Sequence, residues 1–149
     1  MKLPVMILGC TVLAASAAYV IAKESFTEGS TWTGTMKSAH YDTRTKRPSN
    51  ASSRDIKLVI KTVDDGKFTG EFYQNSDREG LEVEGKIKSN GTVTFAPTKK
   101  IKGGWPENII GNWQFSATLK GKQISGSATI PATNGSYTAI SSYTMKLKE

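Results

Sequence analysis

The chain has 149 residues, with 20 Lys and Arg residues against 13 Asp and Glu residues, one His and one Cys. A single His and a single Cys exclude the clustered His and Cys ligands of a zinc site, and a lone thiol cannot form an internal disulfide. The formal net charge of +7 suits an anionic partner, and it equally suits plain solubility.

The first 22 residues have the layout of a secretory signal peptide: one early cation, an apolar stretch from Leu3 to about Ala15, and small residues afterwards. We therefore predict a signal peptide at residues 1–22 and a secreted or periplasmic protein. Small residues fit cleavage before Lys23 and also before Ala18, and we favour the site before Lys23. Membrane attachment is expected only if this segment is retained or if Cys10 is lipidated, since Cys10 follows Ile, Leu and Gly as in a bacterial lipoprotein signal.

Residues 23–149 are predicted to form a single domain of about 127 residues, which is long enough to bury one core. Apolar and polar residues alternate with a period of two in eight runs, and this pattern predicts half-buried strands. The predicted strands are residues 30–37, 55–62, 67–74, 80–88, 92–97, 112–120, 123–130 and a last run that ends at Leu147.

The connections between these runs alternate in length. Residues 64–66, 89–91 and 120–122 each contain Gly and predict tight hairpin turns that share one end of the fold. The longer connections, at residues 38–54, 75–79, 98–111 and 131–136, then share the opposite end and form a mouth. Because closure removes exposed strand edges, we predict an all-β fold, an eight-stranded antiparallel up-and-down β-barrel after the signal segment.

Two features carry a resemblance to a known family. An eight-stranded meander that begins near Trp32 is similar to the calycins (lipocalins, fatty-acid-binding proteins and avidins), and KFTGEFY at residues 67–73 resembles the Phe-Thr-Gly-x-Tyr strand of avidins. The resemblance implies a barrel that holds one small ligand. The chain has Thr33 and Gly34 where the avidin pattern supplies an asparagine for biotin, so biotin is not expected. Gly29 precedes Trp32 by three residues, whereas lipocalins have Gly-x-Trp.

The leading hypothesis is an exported, noncatalytic binding protein that holds a small apolar or amphipathic anionic molecule in its lumen. Basic residues in the predicted mouth loops would bind the carboxylate, and the apolar cup would take the tail. The predicted ligand-binding residues are Arg44, Arg47, Lys99 and Lys102 at the rim and Trp32, Phe72, Trp113 and Tyr143 in the cup.

The alternative is a filled barrel whose mouth loops bind or inhibit an exported protein, with Tyr41 and Trp105 as contact residues. Large inward side chains favour a filled lumen, whereas the inward glycines Gly34, Gly70, Gly85 and Gly126 either bend strands or leave room beside an aromatic ring. Both versions predict a monomer without a cofactor or a nucleic-acid partner.

Catalytic and metal-binding signatures are missing from the sequence. His40 is the only His, and no pattern places it with a serine and a carboxylate as a hydrolase requires. Glu82 and Glu84 share the predicted outer face, and no calcium loop or glycine-rich phosphate loop is present. The sequence therefore predicts no enzyme, no catalytic residue and no metal site.

Overall fold

The computed structural model describes residues 26–42, 52–105, 107–130 and 137–149. In these residues eight antiparallel strands close into one barrel, in which each strand pairs with its neighbours in sequence and β1 also pairs with β8. The strands are β1 (Thr31–Asp42), β2 (Ser52–Asp64), β3 (Lys67–Gln74), β4 (Glu79–Ile87), β5 (Thr92–Lys102), β6 (Gln114–Lys120), β7 (Gln123–Ile130) and β8 (Tyr137–Leu147), with one 3-10 turn at Glu107–Ile109 before β6. The predicted all-β, closed-barrel fold class is confirmed.

The alternation of the sequence places one side of each strand inside the barrel. Trp32 and Met36 in β1 are buried, while Thr33, Thr35 and Lys37 between and beside them are exposed. The same period holds along β6, where buried and exposed residues alternate without a break. The barrel interior is therefore the hydrophobic core, as period-two strands require.

The three tight turns lie at one end of the barrel, as predicted. Each uses a residue with positive φ, namely Gly66 (72°), Gly91 (81°) and Gly121 (57°). Backbone hydrogen bonds join each turn to the end of a following strand: Ile87 N donates to Gly66 O, Leu119 N to Gly91 O, and Leu147 N to Lys122 O, over 2.7 to 3.0 Å. A fourth bond, from Lys148 N to Thr31 O, joins the end of β8 to the start of β1. We call this ring of turns the closed rim.

Phe26 closes the interior at the closed rim. Its side chain is buried, and its ring centroid lies 5.0 Å from that of Trp32 and 5.3 Å from that of Phe68. The predicted strands did not include Phe26, because it lies before the first alternating run. The Phe26 side chain, which precedes β1, therefore fills the barrel interior at the closed rim.

Three strands, β1, β2 and β5, run farther than predicted. β1 continues to Asp42 because it pairs with β8 as far as Tyr137, and β2 already begins at Ser52, so the first mouth loop is shorter than residues 38–54. β5 continues past Pro97 to Lys102, with register shifts against β4. Lys99 and Lys102 are consequently strand residues, whereas the sequence predicted them in a loop.

Inward glycines allow neighbouring strands to approach closely. A Cβ on Gly126 would lie 2.6 Å from the Cα of Ala117 and would collide with the carbonyl oxygen of Ser116. Gly85 has a related role, because the ring of Phe68 occupies the space that its side chain would fill. Gly85 therefore leaves room for an aromatic ring, as predicted, whereas Gly126 permits the close approach of β6 and β7.

We expect Gly126→Ala to lower the free energy of unfolding by about 3 kcal/mol, because the backbone of β6 would have to move to admit the methyl group. Gly104→Ala is the matched control, since a Cβ there meets nothing within 4 Å. Urea unfolding of the two variants beside the parent chain measures the difference. Equal midpoints for all three would contradict the close packing at Gly126.

Candidate functional site

Aromatic rings fill the middle of the lumen. Phe95 and Phe115 stack with centroids 4.3 Å apart and planes 9° apart. Trp113 lies 4.5 Å from Phe115, and Phe72 lies 5.0 Å from it. The Tyr143 ring meets Phe115 edge-on at 5.7 Å. These distances are those of directly packed rings, so the cluster occupies the space that a ligand would need.

Trp105 covers the cluster at the mouth end. It follows β5, and its ring lies 5.4 Å from that of Trp113, while its indole Nε1 donates a 3.2 Å hydrogen bond to the Gly80 carbonyl. Ile109, in the 3-10 turn that follows, is buried in the core. The segment after β5 therefore folds back over the barrel, and Trp105 is half-buried.

The four residues predicted for the cup all face the lumen. Trp32 and Phe72 are completely buried, Trp113 is 1% exposed and Tyr143 is 3% exposed. The structure brings Phe72, Trp113 and Tyr143 into one cluster around Phe115, while Trp32 lies nearer the closed rim against Phe26. Their role in holding a ligand stays a prediction.

Polar atoms are also buried in this cluster. The Tyr143 hydroxyl, the Trp113 indole nitrogen and the side-chain oxygen of Gln74 find no hydrogen-bond partner within the described residues. Burial raises the pKa of the Tyr143 hydroxyl, so this group is protonated at neutral pH. In contrast, Ser38 and Ser141 pair their hydroxyls at 2.8 Å across β1 and β8. The unpaired atoms of Tyr143, Trp113 and Gln74 cost free energy unless a bound molecule supplies a hydrogen-bond partner.

Lys99 and Lys102, which were predicted to lie at the rim of the cup, are on the outer surface of β5 and not among the lumen residues. Lys99 pairs with Glu82 at 3.1 Å. Lys102 lies over the ring of Tyr73, 5.3 Å from its centroid. Arg44 and Arg47 lie outside the described residues, as does the side chain of Tyr41.

Around Tyr73 the outer surface combines apolar and basic groups. Lys57 Nζ also lies over this ring, 4.8 Å from its centroid. Ile101 packs beside Gly80, where a side chain would collide with the Tyr73 ring. Of the described large hydrophobic residues, Ile101 is the exposed one, at 39%. We call this surface the Tyr73 patch; it consists of Lys57, Tyr73, Lys99, Ile101 and Lys102. Sequence reasoning missed it because Ile101 occupies an irregular position in β5, where the period of two fails.

Hydrogen bonds fix the tyrosine of this patch. The Tyr73 hydroxyl donates to Glu71 at 2.8 Å, and burial together with this carboxylate raises the pKa of Tyr73 to about 12. Partial burial alone would raise the pKa of Glu71, but the hydrogen bond from Tyr73 and the Lys61 ammonium at 3.2 Å outweigh it and lower the value. Tyr73 is therefore a neutral, oriented ring at physiological pH.

A second surface feature is a groove of about 560 Å³ on the outside of β2 to β6. Its walls are short polar residues such as Thr62, Thr69 and Thr94, and its floor includes Gly85 and Phe95. No sequence pattern singled it out, because its lining residues come from five strands.

Within the described ranges, no three His, Cys, Asp or Glu side chains are grouped to hold a metal ion.

In the part of the chain that the structure describes, no helix has the length and apolar character needed to cross a membrane.

In comparisons with known proteins, no family model and no curated protein matches this chain. The closed, eight-stranded antiparallel barrel is consistent with a calycin-like architecture.

Replacing Tyr143 by Phe tests whether the lumen is dry. We expect Tyr143→Phe to raise the free energy of unfolding by about 1 kcal/mol, because the variant no longer buries an unpaired hydroxyl. Chemical denaturation of the parent and variant chains measures this change. A loss of stability instead would mean that a bound molecule or water accepts a hydrogen bond from Tyr143 in solution.

The Tyr73–Glu71 contact predicts a pH effect. Because the folded pKa of Glu71 is lowered, the contact stabilises the fold above the unfolded pKa of about 4.3, and this stabilisation is lost as the pH falls through the lowered value. In Tyr73→Phe we expect the pKa of Glu71 to rise towards its ordinary value, as measured by NMR titration of the carboxyl carbon. Tyr143→Phe is the control, in which Glu71 should titrate as in the parent chain.

Proposed function

We propose that this chain is an exported, noncatalytic binding protein of the calycin type whose lumen is filled by its own side chains and whose outer surface binds a protein partner. The observation that carries this proposal is the packed aromatic cluster around Phe115. Small-molecule sites are typically cavities of about 300–1,000 Å³. Phe72, Trp113 and Tyr143 are almost completely buried, so among the described residues no space of that size adjoins these three side chains.

The Tyr73 patch supplies the chemistry of a protein contact. Tyr is enriched at interface centres, and an exposed aliphatic side chain such as Ile101 beside it gains by leaving water. Lys57 and Lys102 lie over the Tyr73 ring. Because Lys57 and Lys99 already pair with carboxylates of this chain, Lys102 is the cation of the patch that an acidic group of the partner would meet. Ion pairs to Asp77 and Glu82 hold two of these lysines in place.

The contact residues differ from those of the sequence-based alternative. Trp105 donates its indole N–H to Gly80 and packs on Trp113, so it acts first as a cover for the barrel end. A partner that reaches over the mouth from the Tyr73 patch would meet the exposed edge of Trp105 next, and Tyr41 remains a predicted contact.

A second candidate function is the binding of a small amphipathic molecule in the lumen. The unpaired hydroxyl of Tyr143 and the unpaired indole N–H of Trp113 favour it, because each group could donate a hydrogen bond to a carboxylate of the ligand. This candidate requires the aromatic cluster and the Trp105 cover to rearrange before the ligand enters.

The two candidates are separated by site-specific photo-crosslinking in the native host. A photo-reactive residue at position 101 should yield one discrete protein adduct, and the same residue at the exposed position 127 on β7 should yield none. Lys102→Glu should reduce the adduct about tenfold by reversing one attractive charge. Absence of an adduct at 101, together with a small molecule retained in the native mass spectrum, would overturn the proposal and support the second candidate.

A further inference from the structure

The outer surface of the barrel is divided by charge. β6, β7 and β8 contain no Asp or Glu, and the exposed positions of β6 and β7 are hydroxyl, amide or lysine side chains, such as Ser116, Thr118 and Ser127. Two carboxylates of β3 and β4 instead pair with lysines, Glu71 with Lys61 and Glu82 with Lys99. The charged residues within the three strands β6 to β8 are therefore all basic.

These basic side chains gather at the closed rim. Lysines 88, 120, 122, 146 and 148 are all exposed. Lys122 pairs with Glu149 at 2.6 Å, whereas the other four make no ion pair within the described residues. The opposite part of the rim, near the β2–β3 turn, instead has Asp64 and Asp65 beside Lys67. We call the five lysines the lysine rim.

The backbone holds the lysine rim in one place. Lys120 pairs in register with Gln123, and Gln123 pairs with Lys146 on the next strand. The turn that follows Lys88 is joined to β6 by the bond from Leu119 N to Gly91 O, and Lys148 N donates to Thr31 O. Positions fixed by strand pairing keep like charges together, although they repel each other. An anionic surface would relieve this repulsion.

The described part of the chain begins at the same end of the barrel. Phe26, the first described residue, packs against Trp32 and Phe68 at the closed rim. Only a few residues separate it from the predominantly apolar segment at positions 3–22. An apolar segment of this composition directs the chain to a membrane, both when the segment is retained and when it is later cleaved. The lysine rim is therefore the part of the described barrel that is nearest to the bilayer at that stage.

From these observations we infer that the lysine rim docks the barrel on an anionic bilayer, with its ammonium groups on the phosphates of acidic phospholipids. Basic clusters next to a membrane-bound segment are attracted to such surfaces. The neighbouring hydroxyls of β6 to β8 add donors for headgroup oxygens. The interaction is electrostatic, so it weakens with salt and does not require insertion of the barrel.

The test is co-sedimentation of the full chain with vesicles of phosphatidylcholine alone and of phosphatidylcholine mixed with phosphatidylglycerol. The ratio of the two partition coefficients removes the apolar contribution of the N-terminal segment. We expect the ratio to exceed about tenfold at low salt and to approach unity in about 1 M salt.

Three variants make the test specific. Lys120→Gln/Lys146→Gln/Lys148→Gln should lower the ratio about tenfold or more, and the corresponding triple Arg variant should keep it. Lys37→Gln/Lys99→Gln/Lys102→Gln removes the same charge from β1 and β5 and should keep the ratio within about twofold, because these lysines lie six or more residues along their strands from the closed rim. If the ratio of partition coefficients fell equally in both Gln variants, binding would depend only on the net charge of the protein, and the proposal would be overturned. So would unchanged binding in the first Gln variant, or binding to a soluble anionic polysaccharide without any preference for anionic vesicles.

Discussion

Closure of the barrel by the pairing of β1 with β8 is the constraint on which the other features depend. The register runs from Trp32 opposite Leu147 to Asp42 opposite Tyr137, and it fixes which side chains point inward. A slip by one residue would place Lys37 in the core and expel Met36. Closure also limits the interior to the volume of an eight-stranded barrel, which is just wide enough for side chains or for one small ligand.

Within that volume, ring packing competes with the cost of buried polar atoms. The contacts of Phe115 with Phe72, Phe95, Trp113 and Tyr143 contribute roughly 0.5–1.5 kcal/mol each beyond the area they bury. An unpaired hydroxyl or indole N–H costs about 1–3 kcal/mol. The ring contacts alone only match the cost of the unpaired Tyr143 and Trp113 donors. The apolar area that the five rings bury, which is worth about 1.5–3 kcal/mol for each side chain, outweighs that cost, so Tyr and Trp serve here chiefly as large apolar side chains. A lumen ligand would have to offset the loss of these ring contacts.

The strands and their order could be predicted from the sequence because period-two alternation and Gly-containing turns are local signals. The inward positions of Trp32, Phe72 and Tyr143 follow from the same period. The position of Phe26 could not be predicted, since its contacts with Trp32 and Phe68 exist only once the barrel is closed. The Tyr73 patch was missed for another reason: irregular pairing between β4 and β5 turns Ile101 outward, and strand alternation does not reveal such irregularities.

The two ends of the barrel offer different surfaces, and their separation has a consequence for function. Tyr73 is six residues along β3 from Lys67 at the closed end, which corresponds to about 15 Å along the axis of a barrel with tilted strands. A barrel attached by its lysine rim would therefore hold the Tyr73 patch away from the bilayer and open to a partner. Because the Trp105 cover lies at the mouth as well, both the patch and the barrel opening would face the same compartment, while the closed rim alone would contact lipid.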